Sequence, residues 1–128
     1  MINTNDLIGL QRAWAALPGN AAGTVDCCLL AAEVHKRLGY FDYTPELLTI
    51  FTKYTDDTWP KSVIPRWLLK NSTPLDEQSS HAVVLLQGQN GGAMGTVLAP
   101  DDILYIGLHG VIRGPIPPSG GRYFWLHK

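Results

Sequence analysis

Two adjacent cysteines, four histidines and a few acidic residues are the groups in this 128-residue chain that can do covalent or proton chemistry. Cys27 and Cys28 are its only cysteines and stand directly after Asp26, at the mouth of the apolar stretch VDCCLLAAEVHKRLG. A helix N-terminus stabilises a thiolate. Such a sulfur becomes a working nucleophile when a histidine reaches it as base and a third group orients the imidazole. His81 suits the base: it follows the polar loop LDEQSS and opens the hydrophobic run HAVVLL, so the sheet would hold its ring at a strand end. His109, between glycines in GLHGV, is a rival. His35 lies eight residues past Cys27 in the same helix and is expected to be half-buried or solvent-facing. His127 is expected to fray with the C-terminus.

The bland reading of the cysteines is core packing, because a free Cys behaves as a small hydrophobe. Neighbouring cysteines rarely pair, so no structural disulfide is expected. They also lack the C-x₂₋₄-C spacing that brings two sulfurs to one metal, so neither a metal site nor a cofactor is expected.

The elements that must carry these groups read as helices followed by strands. Asp6 can cap a helix bearing Leu7, Leu10, Trp14 and Leu17, stopped by Pro18-Gly19. Thr24 or Asp26 can cap the cysteine helix, whose Cys27, Ala31, Val34 and Leu38 share a face before Gly39 ends it. TPELLTIFTKY predicts a third helix, with Thr44 as N-cap and Pro45 at N1, and SVIPRWLLKN a shorter fourth. From residue 79 the pattern turns to strands: HAVVLLQ and GTVLA as a hairpin about the turn GQNGG, then ILYIGL, GVIRG and RYFWLH. The fold expected over residues 1–128 is a single α+β domain, with four or five antiparallel strands packed on the cysteine helix.

Composition excludes some functions. Hydrophobic residues make up 45% and charged residues 16%, which suits a folded domain rather than a disordered chain. The net charge of −1, with scattered Lys and Arg, carries no basic stripe, so no nucleic-acid partner is expected. No segment has the roughly 18 to 20 apolar residues of a membrane span. The first residues lack the basic region of a secretion signal. Cytoplasm is the default expectation, with delivery as a secreted effector or excision from a longer chain left open. The oligomeric state is not legible.

The motifs DCCLLAAEV and HAVVLL…VLAPDD resemble the papain-like cysteine peptidase superfamily, and within it the double-glycine bacteriocin leader peptidases. NlpC-type cell-wall peptidases and transglutaminase-like proteins share the order Cys, His, polar third residue. The resemblance spans residues 20 to 102 and implies a papain-like fold. It also implies Cys27 as nucleophile, His81 as general base and Asp101 as orienting acid, with Cys28 and Asp102 as rivals. Asn20 lies near the spacing of the family's oxyanion Gln and would take that role. The implied function is hydrolysis of a peptide or amide bond in a peptide or protein substrate, through a thioester. Two alternatives stand beside it: acyl transfer or glutamine deamidation by a bacterial toxin, and a catalytically silent domain that binds a peptide.

Overall fold

The computed structural model describes residues 2–86 and 93–128, so the expected turn at 88–92 lies outside the described residues. The elements are β1 (Gln11–Arg12), β2 (Thr24–Val25), α1 (Cys27–Arg37), α2 (Thr44–Phe51), α3 (Val63–Asn71), β3 (Ser72–Leu75), β4 (Val83–Leu86), β5 (Ala93–Ala99), β6 (Asp102–Gly107), β7 (Gly110–Gly114) and β8 (Gly121–Leu126). Strands β3 to β8 form one antiparallel sheet in the order β3-β8-β4-β5-β6-β7, and β1 pairs with β2 in a separate two-residue parallel ladder. The class is α+β, with the helices first and the sheet after them.

Alternation along the strands sends one face of the sheet to the helices. Val83, Leu85, Met94, Phe124 and Leu126 pack on that face against Cys28, Leu29 and Ala32 of α1 and against Phe51, Trp67 and Leu68 of the other helices. The interleaved residues Ala82, Val84, Leu86, Val97 and Ile103 make a smaller cluster on the opposite face. The middle of the sheet is tight. A Cβ on Gly95 would lie 2.9 Å from the Leu104 carbonyl oxygen and 3.0 Å from Tyr105 Cβ. Gly95→Ala is therefore expected to lower stability by about 1–3 kcal/mol, the usual cost of overpacking, as a lower midpoint in urea unfolding.

Two expectations fail, each through tertiary hydrogen bonding. The stretch carrying Leu7, Leu10, Trp14 and Leu17 is not a helix. Gly9 takes φ +87°, its N–H donates to the Val111 carbonyl at 2.9 Å, and the Leu10 carbonyl accepts from the Val111 N–H at 2.9 Å. This segment extends the edge at β7 instead, and backbone bonds to a strand outweigh a weak local helix interrupted by glycine. Asp6 is free of capping and pairs with Arg37 at 2.7 Å. The described residues hold three helices rather than four. They hold six strands in the main sheet rather than four or five, because α3 runs directly into β3, whose Pro74 is tolerated on an edge strand.

The C-terminus is also better held than expected. The His127 N–H donates to the Asn71 carbonyl at 3.0 Å, and its Nε2 lies 2.9 Å from Thr73 Oγ1.

Candidate functional site

Asp26 builds the cysteine end of α1. One carboxylate oxygen accepts from the Cys28 N–H at 2.8 Å, the N-cap bond of the helix. The other accepts from the Ala15 N–H at 2.9 Å, which holds Ala15 in its left-handed turn at φ 61°. Cys27 is therefore the first helical residue, as expected. Both sulfurs are buried and free.

Their ionisation is set by one another. The Cys28 thiol donates to Cys27 and lowers its pKa, against burial and the Asp26 charge, while the Met94 N–H helps. Cys28 is pushed well up, because giving away its proton would leave two negative sulfurs in a buried site beside Asp26. Cys28 lines a small cavity of about 10 Å³ with Leu47, Ile50, Trp59, Val63, Ile64, Trp67 and Met94. Such a cavity holds at most one water. Asp26, Cys27 and Cys28 do bring one ligand atom each within 4.8 Å of the others, which the sequence spacing did not suggest. Each Asp26 oxygen also accepts one backbone N–H.

His81 lies at the other end of the helix. Its Nδ1 is 2.8 Å from the Tyr40 hydroxyl, and Tyr40 follows the last turn of α1. The Tyr40 ring stacks on His35 at 4.8 Å and meets Trp125 edge-on at 6.0 Å. From Cys27 to His35 the helix rises eight residues, about 12 Å. The sheet agrees: Cys27 faces Met94 near the start of β5, whereas the His81 N–H bonds to Val97 three residues further on. Strand β4 therefore runs opposite to α1, and a histidine that opens β4 falls beside the C-terminal end of the helix. A Cys–His pair needs the two to start at the same end. The expected contact between Cys27 and His81 is absent.

The remaining candidates are placed as follows. Asp101 shares the His81 end of the sheet, at φ 61°, and its N–H donates to Gln78 Oε1 at 2.9 Å. The group bonded to the His81 ring is Tyr40 rather than a carboxylate, so the role of orienting acid does not fall to Asp101. Asp102 is held by Arg113 through two contacts, at 2.5 and 3.1 Å. His109 is exposed in the β6–β7 turn, its carbonyl accepting from Gln11 Nε2 at 3.0 Å. Asn20 is a loop staple and not an oxyanion donor. Its amide nitrogen donates to the Leu17 and Thr24 carbonyls at 2.7 and 2.8 Å, and its oxygen accepts from the Ala22 N–H at 2.9 Å.

Two residues of the His81 cluster were not expected from sequence. His35 is only 3% exposed, its Nε2 lies 2.8 Å from the Lys128 carbonyl oxygen, and its Nδ1 has no partner among the described residues. Tyr40 bridges the two histidines. The signal available was the aromatic run Tyr40, Phe41 and Tyr43 directly after a histidine-bearing helix end.

Burial lowers the His35 pKa, and proximity of His81 adds to this, against the bond to Lys128. The unfolded chain thus binds a proton near pH 6.5 that the folded chain resists. This contribution to stability is complete above pH 6.5 and is lost as pH falls below it. The natural protein is expected to lose thermal stability between pH 6.5 and 5, and His35→Gln, which does not titrate, is expected to lose less over the same range.

A second concave feature lies between α2 and α3. It is an open groove of about 440 Å³ lined by Glu46, Thr49, Ile50, Lys53 and Tyr54 on one side and by Val63, Arg66, Trp67 and Lys70 on the other. Among the described residues no helix is long and apolar enough to cross a membrane. Comparison with protein-family models, with curated proteins and with solved structures finds no match to the chain.

Proposed function

We propose that the chain is a peptide-binding module, the catalytically silent alternative, and that Cys27 is not the nucleophile of a thiol hydrolase. The observation that carries this reading is the α2–α3 groove. Ile50, Tyr54, Val63 and Trp67 give it an apolar and aromatic lining of the kind that anchors side chains, within the volume range of ligand sites. The cysteines, by contrast, have no base beside them and lie in the core. On this reading the resemblance to papain-like peptidases extends to the order of elements and stops short of the Cys–His contact.

The test is a peptide array probed with the intact protein and with Thr49→Trp. Thr49 is exposed in the groove, and a bulky ring there fills it. Binding that the substitution removes supports the reading. Binding that survives it, or no binding at all, overturns it.

The His81 cluster favours a second reading, hydrolysis by acid–base chemistry without a thioester. His81 sits at φ 74°, a conformation that costs a non-glycine residue energy and collects at functional sites. Tyr40 orients its ring through Nδ1, and among the described residues Nε2 has no hydrogen-bond partner. On this reading mass spectrometry of peptides incubated with the protein finds cleavage that His81→Ala abolishes and Cys27→Ala leaves intact. Cleavage lost on Cys27→Ala would restore the thioester route instead.

A further inference from the structure

We propose that the occupant of the α2–α3 groove is an acidic amphipathic segment of a partner protein, lying along the two helices. This rests on the peptide-binding reading and names the chemistry of the partner. From α2 and the turn after it come Glu46, Thr49, Ile50 and Lys53, spaced i, i+3, i+4 and i+7; from α3 come Val63, Arg66, Trp67 and Lys70 at the same spacing. Each set is one helix face over two turns. The groove therefore follows both helices for about 10 Å, a shape that suits a chain segment laid lengthwise.

Charge gives the sign of the partner. Three of the ten basic residues of a chain with net charge −1 line this one groove, against a single acid, Glu46. Lys53, Arg66 and Lys70 are exposed, and no ion pair joins them to an acid among the described residues. Elsewhere Lys36, Arg37 and Arg113 are paired with acids, Arg122 and Lys128 lie over the Phe124 and Phe41 rings, and Arg12 and Lys61, like the groove cations, are in no ion pair among the described residues. The three groove cations come from both of its walls, Arg66 and Lys70 one turn apart on α3 and Lys53 just after α2. A phosphate or carboxylate site for a small molecule instead converges its donors on one point. A spread of charge flanking apolar anchors matches a segment with acidic residues on either side of an apolar stripe.

The experiment titrates the intact protein into a fluorescently labelled peptide with leucines at i, i+4 and i+7 and glutamates on its other positions, read by anisotropy. A second peptide replaces every glutamate with lysine. The acidic peptide is expected to bind at least tenfold more tightly, to weaken as salt rises from 50 to 300 mM, and to lose at least tenfold in affinity with Lys53→Glu/Lys70→Glu. Glu46→Gln, which removes the one opposing charge, is expected to tighten it. Equal binding of both peptides, with no effect of the charge reversal, overturns the acidic partner while leaving a peptide-binding groove. Binding of neither peptide, with the variants folded by circular dichroism, overturns both.

Discussion

Iodoacetamide at pH 6 is expected to leave both cysteines of the folded protein unmodified, and urea to expose the two together. Cys27 does have a lowered pKa, but the cause is the Cys28 thiol and not a histidine. A lowered pKa serves nucleophilic attack only if the reagent can reach the sulfur. The two residues are 8% and 3% exposed and belong to the main core cluster. Modification then requires opening of the core. An opening free energy of about 3 kcal/mol slows it about 100-fold relative to the unfolded chain. His81→Ala is expected to leave the labelling rate unchanged, since His81 stands at the far end of α1. Selective labelling of one cysteine at pH 6 that disappears in His81→Ala would show instead that the two meet.

The second large effect falls on Asp26. Asp26→Ala is expected to cost about 2–4 kcal/mol of stability, read as a lower urea midpoint with an unchanged slope. Loss of the helix cap accounts for about 1 kcal/mol. The rest comes from the Ala15 N–H, left without an acceptor in a part-buried turn, at about 1–3 kcal/mol for a fully buried group. Asp26→Asn retains an acceptor for one of the two donors and is expected to lose less.

The pH dependence separates the cap from the charge. Burial raises the Asp26 pKa above its ordinary 3.8, against the backbone hydrogen bonds that lower it. A raised carboxyl contributes stability that is complete below pH 3.8 and is lost as pH rises through the folded-state value. The advantage of the natural protein over Asp26→Asn should therefore shrink between pH 4 and 7. Asp6 and Asp42, whose lowered values act in the opposite direction, are common to both proteins and cancel in the difference. An advantage that grows with pH would mean that the buried carboxylate is stabilised as the anion.

The sequence by itself determined the local matters. An acid followed by apolar residues starts a helix because its side chain satisfies the first free N–H groups, and so Cys27 stands at the first position of α1. Alternating and β-branched runs identified β4 to β8, because each strand needs one face in the core. The α+β class followed from the order of those elements. The helix drawn for Leu7 to Leu17 failed where a remote partner competed: Val111 supplies backbone bonds that a local pattern cannot reveal.

The candidate site failed for a related reason. Cys27, His81 and Asp101 stand in the right order along the chain, but order is indifferent to direction. Whether β4 starts at the cysteine end of α1 or at the other depends on how the helix crosses the sheet, and that is settled by packing between residues far apart in sequence. In this fold Cys27 faces Met94 while His81 reaches Tyr40, so the helix runs against β4 and keeps the two residues expected as nucleophile and base apart. The same packing set Tyr40 between two histidines and left α2 and α3 with an open seam. Tertiary structure alone decided these, because each is a relation between surfaces that become neighbours only when the sheet and helices close on one core.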